Sequence, residues 1–357
     1  MASRPSVHRP RLRALMHDPF KSAEAVGLVH VDEHAPGITR VRKGRGFSNA
    51  YRGERVADRA TLERIRALAV PPAWTNVWIC PKANGHLQAT GRDAKGRKQY
   101  RYHPGWSLVR GETKFLHALE LGRRLPEMRR ILNEQLALPG LPKEKVLAAV
   151  VSIMDRTHIR VGSAEYAKEN GSYGLTTLKD RHVKGQANGV RFVFRGKTGI
   201  QHDIPLHSAR LSRLVMRCKE LPGQELFQYL DEQGEPHPID SGMVNDHIRS
   251  ISGGRFTSKD LRTWMGTVHC LGALAELGEP EAITERRANI NAALDRVAQH
   301  LGNTRAVCRK YYVHPRVIAL YEQRGLQRWI APSAADQKEE DVSWQEHVLL
   351  KVLAATL

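Results

Sequence analysis

The sequence predicts an α+β protein: a small β-rich N-terminal domain, then a mostly helical C-terminal domain that carries a small antiparallel sheet. Three observations predict it. Short runs of β-branched and aromatic residues, separated by turn signals, fill the stretch from about Gly27 to His103. After Pro104-Gly105 the apolar residues recur at helical spacing over long segments. Within that helical stretch, Val190-Arg191-Phe192-Val193-Phe194 alternates like a strand. A chain of 357 residues with 41% hydrophobic content is long enough for roughly two cores.

The elements follow in order. Residues 1–22 read as a flexible basic arm, because the Arg-rich start lacks the apolar stretch of a secretory signal; composition also leaves a transit peptide open. Residues 23–106 form the β-rich domain. Leu28 to Val31 and Val77 to Cys80 read as strands, and Asn84-Gly85 marks a hairpin into His86 to Thr90. Asp58 is an N-cap candidate for a helix through Leu62, Ile65 and Leu68. Residues 107–332 form the helical domain. Phe115 to Leu136 is its first helix, and Lys143 to Met154 its second, with Val146, Leu147, Val150, Ile153 and Met154 on one stripe. The strand at Val190 meets a turn at Gly196 to Gly199, and Ile200 to Ile204 is its partner. Helices return at Ser258 to Leu274, Ile283 to Leu301 and Thr304 to Tyr312, with Gly302 as the stop of the second. Residues 333–357 read as a charged linker leading to an amphipathic helix through Leu349, Leu350 and Val352.

Charge narrows the partner. Lys and Arg number 56 against 37 Asp and Glu, a formal net charge of +19. The surplus is dispersed, in Arg40 to Arg45, Lys95-Gly96-Arg97-Lys98, Arg123-Arg124, Arg129-Arg130 and Arg309-Lys310. Such an excess attracts polyanions and favours nucleic acid as partner over a solvated basic face. Four cysteines without C-x-x-C spacing exclude a thiolate zinc knuckle and fit reduced thiols in the cytoplasm. No apolar stretch reaches membrane-span length, so a cytoplasmic, nucleoid-associated protein without membrane contact is expected. Gly196-Lys197-Thr198 imitates the end of a phosphate-binding loop, but that loop needs a glycine where Arg191 stands. No H-e-x-x-H pattern or two-metal acidic cluster is present, so neither ATP, metal nor any other cofactor is expected.

What remains is cations and tyrosine. Arg309-Lys310-Tyr311-Tyr312 puts two tyrosines directly after two fixed positive charges. Such a pair in a helix is more often packing than chemistry. Arg160 follows a helix, Lys197 sits at a hairpin tip, Arg262 lies near a helix start, and Asn303 follows Gly302. Each has an ordinary explanation: salt-bridge partner, solvated turn residue, i,i+4 pair and helix N-cap, respectively. Together they answer one chemical need. Attack of a tyrosine hydroxyl on a phosphodiester builds charge on the non-bridging oxygens, which two guanidiniums clamp and an amide supports. The leaving alkoxide needs a proton, which a lysine on a mobile hairpin can deliver. A covalent phosphotyrosine stores the bond for resealing.

The set resembles the type IB DNA topoisomerases, in particular their small poxvirus-like bacterial branch. The resemblance runs from about Arg42 to Pro315. It is carried by Ile159-Arg160-Val161-Gly162, Gly174-Leu175-Thr176-Thr177-Leu178-Lys179, Arg195-Gly196-Lys197, Lys259-Asp260-Leu261-Arg262-Thr263 and Gly302-Asn303-Thr304 through Tyr312. It implies Tyr312, not Tyr311, as nucleophile, Arg160 and Arg262 as transition-state arginines, and Lys197 as general acid. Asn303 stands where the family often has His, which implies oxyanion stabilisation without an acid role. The segment Gly91 to Tyr102 resembles the part of the small domain that meets DNA, so Arg97, Gln99, Tyr100 and Tyr102 are DNA-contact candidates, with Tyr166 another. The resemblance further implies a monomeric clamp around duplex DNA that relaxes supercoils through a 3′-phosphotyrosyl intermediate. Tyrosine recombinases share this chemistry but usually carry H-x-x-R, where this chain has Lys259 before Arg262. A non-catalytic architectural DNA-binding protein is the alternative from another class.

Overall fold

The computed structural model describes residues 18–44, 46–94, 96–330 and 343–355. The chain divides into two units, residues 1–117 and 118–357.

The first unit is built on one antiparallel sheet. Helix α1 (Pro19–Glu24) is capped by the Asp18 carboxylate, which accepts from the amides of Phe20 and Lys21. The last residues of the expected arm are therefore helical; residues 1–17 lie outside the described residues. Strands β1 (Ile38–Lys43), β2 (Gly46–Tyr51) and β3 (Glu54–Arg55) precede helix α2 (Arg59–Ala67), and β4 (Thr75–Ile79), β5 (Leu87–Arg92) and β6 (Lys98–Tyr102) follow it. The order across the sheet is β3-β2-β1-β4-β5-β6. The expected hairpin is present, with Ile79 opposite Ala89 and Trp78 opposite Thr90. Asp58 caps α2 through Thr61 N at 2.8 Å. Ile38, Ile65, Val77, Ile79 and Ala89 form the core between sheet and helix. The Leu28 to Val31 segment is not a strand: it makes one bridge, Val29 to Gly85, because it pairs with the turn rather than a strand. Conversely β1 and β6 are strands that the sequence hid, since their exposed faces carry arginine, lysine and tyrosine, and β2 was hidden by its small and polar Gly-Phe-Ser-Asn-Ala run.

Helix α3 (Pro104–Leu136) contains the division between units. It starts at Pro104 rather than Phe115, because proline at the first helical position needs no hydrogen-bond partner for its nitrogen. The second unit continues with α4 (Lys143–Thr157), α5 (Ala164–Asn170), β7 (Val183–Gln186), β8 (Gly189–Arg195) and β9 (Gln201–Leu206). The three strands form the small antiparallel sheet, with β8 in the middle and Phe194 opposite His202. Val190, Phe192 and Phe194 are buried, as their alternation demands. Helix α6 (Ala209–Lys219), a short ribbon of β10 (Gln228–Leu230) and β11 (Pro236–Pro238), and α7 (Ser241–Ser252) lead to the long helices. These are α8 (Ser258–Leu277) and α9 (Ile283–Leu301), followed by α10 (Arg305–Tyr311), α11 (Pro315–Glu322) and α12 (Gln327–Ile330). One apolar core runs through this unit. The linker of 331–342 lies outside the described residues. Helix α13 (Trp344–Ala354) is present as expected, and it docks on the unit with Val348, Leu349, Val352 and Leu353 buried.

Candidate active site

Three chain segments meet around Tyr312. The first is the end of α4, where His158 takes a left-handed conformation (φ 57°) and turns the chain out of the helix. Arg160 follows. Its backbone is fixed by the Gly174 motif: Leu175 N donates to Arg160 O at 2.9 Å and Thr176 N to Val161 O at 2.7 Å. A side chain at Gly174 would meet the Gly162 backbone at 2.6 Å, so the two strands of this turn need glycine to approach. The second segment is the first two turns of α8, which hold Arg262. The third is the α9 stop at Gly302, then Asn303 and α10.

Arg262 is 5% exposed, yet it has no carboxylate partner among the described residues. Its guanidinium donates to the carbonyl of His158 and, at 2.7 Å, to that of Leu301. Arg160 donates to Gly302 O at 3.0 Å and to Asn303 Oδ1 at 2.8 Å, again with no carboxylate. Burial first, then the like charge of Arg160, pushes Arg262 down to about 10, with Tyr312 pulling the other way. Burial likewise lowers Arg160. Both stay cationic at neutral pH, so one buried and one half-buried guanidinium lie together without a carboxylate among the described residues. Such an arrangement is costly unless an anion completes it.

Tyr312 caps α10 and is half-buried, and the Arg262 guanidinium carbon lies 5.6 Å from its ring centroid. Its backbone is held tightly. Thr267 Oγ1 lies 3.1 Å from Tyr312 O and accepts from His314 N at 3.1 Å. Gly266 on the same helix lets the chains touch, since a Cβ there would stand 2.8 Å from Tyr312 O. Tyr311 is 45% exposed, with the Lys310 ammonium 5.2 Å from its ring centroid. The geometry thus separates the two tyrosines. Cys308, one turn before Tyr312, is buried, and burial pushes its thiol up to about 11 against the pull of both arginines. It is a neutral spacer there.

The ordinary explanations fail for three of the candidates. Arg160 and Arg262 bond to carbonyls rather than carboxylates, and Thr304, not Asn303, caps α10 by accepting from Val307 N at 3.4 Å. Asn303 orients Arg160 through its carbonyl, while its amide reaches Leu301 O at 3.4 Å. Lys197 is not part of this group. It sits exposed at the β8–β9 turn, with its ammonium 5.6 Å from the Tyr166 ring centroid. The sequence missed His202 on β9. It lines a narrow cleft with Arg160, Tyr173, Gly196 and Arg262. Only the pairing register could have pointed to it.

Behind Arg262 lies a row of histidines. The Nε2 atoms of His158 and His269 are 2.6 Å apart, and His269 stacks on His300 at 4.7 Å. Burial, then the neighbouring histidine, pushes His158 down to about 3 and His269 to about 4, so both are neutral near pH 7. They line a cavity of about 770 Å³ that Tyr312, Arg160 and Arg262 do not line.

In the first unit, Tyr100 and Tyr102 are 44% and 45% exposed on the edge strand β6, their rings stacked at 5.9 Å. Strand alternation puts Gln99 on the opposite face. Gln99 Nε2 donates to Asp93 Oδ2 at 2.9 Å, and Arg97 pairs with the same carboxylate at 2.7 Å. Arg40, from the basic cluster, is structural: it donates to the carbonyls of Val70, Pro71 and Trp74.

Known proteins place this arrangement among the DNA topoisomerases. Residues 100–330 match the family described as the catalytic core of eukaryotic DNA topoisomerase I, and residues 48–93 match the N-terminal domain of bacterial DNA topoisomerase IB. The DNA topoisomerase 1B of Acanthamoeba polyphaga mimivirus is 30% identical over 295 residues, covering 80% of this chain and 88% of that protein. The DNA topoisomerase I of monkeypox virus and the DNA topoisomerase 1B of vaccinia virus are each 21% identical over 291 residues, covering 78% of this chain and 88% of theirs. The chain belongs to the type IB DNA topoisomerases, and its relatives put it with the poxvirus-like members. It is therefore an enzyme acting on duplex DNA.

Proposed function

We propose that the enzyme relaxes supercoiled duplex DNA by transient cleavage of one strand through Tyr312. The Tyr312 oxygen attacks the scissile phosphorus, the bond from phosphorus to the 5′ oxygen breaks, and a 3′-phosphotyrosyl link forms. The phenol proton leaves to solvent, and Lys197 protonates the departing 5′ oxygen. The freed end swivels, then its hydroxyl attacks the phosphotyrosine and restores the strand. One observation carries this reading: the buried Arg262 and half-buried Arg160 beside Tyr312 have no carboxylate among the described residues, and a phosphodiester supplies that charge. Asn303 keeps Arg160 aimed and offers its amide to a phosphate oxygen.

Lys197 takes its role when its side chain swings from the Tyr166 ring toward the scissile phosphate while the β8–β9 turn keeps its place. Tyr166, Tyr100 and Tyr102 contact DNA in this reading, and Gln99 and Arg97 do so after release from Asp93. The two units act as a monomeric clamp, with the protein on the nucleoid in the cytoplasm. No described helix is long and apolar enough to cross a membrane.

The test is relaxation of supercoiled plasmid in EDTA without ATP. The wild type relaxes it and Tyr312→Phe does not. Absence of relaxation by the wild type overturns the proposal, and resolution of paired-site junctions points to a recombinase.

A further inference from the structure

His202 stands at a joint between two parts of the site. Its ring stacks on Phe194 at 4.9 Å, and its edge lies between two glycines. A Cβ at Gly196 would meet its Cδ2 and Nε2 at 2.5 Å; a Cβ at Gly302 would meet Cε1 at 2.6 Å and Nε2 at 3.0 Å. Gly196 immediately precedes Lys197, and Gly302 immediately precedes Asn303. The same added Cβ at Gly302 would stand 3.6 Å from Arg160 Nη1. The ring nitrogens make no hydrogen bond to the described residues, so contact, not bonding, is what the imidazole supplies.

We propose that His202 is a positioning residue that registers the lysine turn against the corner holding Asn303 and Arg160. The turn itself is short and self-contained, closed by Gly196 N to Ile200 O at 2.7 Å, with Thr198 in a left-handed conformation (φ 64°). A turn of this kind holds its own shape but not its distance from a neighbour. The flat ring sets that distance, because glycine on both sides lets it touch two backbones at once. Burial, then Arg160 and Arg262, holds the imidazole below its ordinary value, so a neutral ring fills the gap without adding a third cation. The inference rests on Lys197 as the proton donor and extends it: the donor is placed by a contact outside its own turn.

Two measurements test it together. Single-turnover cleavage is timed on duplex DNA with the ordinary 5′ oxygen and on the same duplex with bridging sulfur there. Sulfur departs as thiolate without a proton, since thiols ionise far more readily than alcohols. His202→Ala slows cleavage of the oxygen substrate by about 10- to 100-fold, the scale expected of a misplaced group. Most of that loss returns with sulfur, as it does for Lys197→Ala. Gly196 has an ordinary backbone conformation, so Gly196→Ala has one fault only, its clash with the ring. It slows the oxygen substrate in the wild type, but in the His202→Ala background it adds less than about twofold, a coupling that neighbours in contact show.

Equal slowing on both substrates by His202→Ala, or a Gly196→Ala cost that is the same with and without the ring, overturns the proposal. The oxygen-to-sulfur ratio is read on one preparation, so partial unfolding does not mimic the effect. If sulfur fails to rescue Lys197→Ala, the lysine reading falls, and the Gly196–His202 coupling alone decides the registering contact.

Discussion

Arg262 shows how much the site depends on the geometry of single residues. Its planar fork reaches two carbonyls on different segments, His158 and Leu301, and still faces Tyr312. Lysine carries the same charge but not the fork. Arg262→Lys is expected to slow cleavage about 10²- to 10³-fold, as loss of one oxyanion donor does. DNA affinity at fixed salt should change little, because one phosphate contact among many is altered. Gly266 gives the opposite kind of case. Alanine is favoured over glycine inside a helix by up to about 1 kcal/mol. Here the added methyl meets Tyr312 O at 2.8 Å. Gly266→Ala is therefore expected to lower cleavage more than about tenfold, like other small displacements of a reacting group, with no gain in melting temperature. The residues that the structure gathers around Tyr312 were legible as a set, because motif order and chemistry name Arg160, Arg262, Asn303 and Tyr312. Gly266, Thr267 and His202 were not. Their roles exist only once α8 lies against Tyr312 and β9 pairs with β8, and no local pattern encodes either contact.

Among the elements, α9 was readable to the residue, since it runs Ile283–Leu301 with the glycine stop at Gly302, whereas α3 begins eleven residues before its expected start. Strands were readable where one face is apolar, as in β4, β5 and β8. They were hidden where it is not: β1 and β6 carry arginine, lysine and tyrosine on exposed faces, and a basic run reads as surface. The C-terminal helix was visible, but not what holds it. Glu346 on α13 is 4% exposed and accepts from Arg129 at 2.9 and 3.0 Å and from Trp264 Nε1 at 3.0 Å. Arg129 also pairs with Asp155 on α4 at 2.9 Å. Glu346→Ala removes the buried carboxylate that Arg129 and Trp264 bond to, a loss of about 3–5 kcal/mol where such a pair is well buried. Urea unfolding should show a lower midpoint at unchanged slope, their product falling by that amount. A drop under about 1 kcal/mol, the worth of an exposed ion pair, would mean that α13 is merely laid on the surface.

For the molecule as a whole, charge and protonation set the working range. With a formal charge of +19, the logarithm of DNA affinity should fall linearly with the logarithm of salt, with a slope of about 0.9 for each phosphate neutralised. The histidine row adds a pH limit. His158 and His269 are held near 3 and 4 in the fold, below the 6.5 of the free side chain. Between those values the unfolded chain binds more protons, so stability rises with pH there and is lost on acidification. The second unit should lose stability as pH falls from about 6.5 toward 4, by up to about 1.4 kcal/mol per pH unit for each histidine. His269→Asn should flatten that slope in thermal melts. The central claim is narrower than any of these: one tyrosine of an adjacent pair does the chemistry, because it alone faces the two uncompensated arginines. The direct measurement is to trap the covalent complex on a nicked DNA whose cleaved end diffuses away, then identify the DNA-linked peptide by mass. The account predicts the DNA on Tyr312, full trapping by Tyr311→Phe and none by Tyr312→Phe; DNA linked to Tyr311, or trapping that survives Tyr312→Phe, would contradict it.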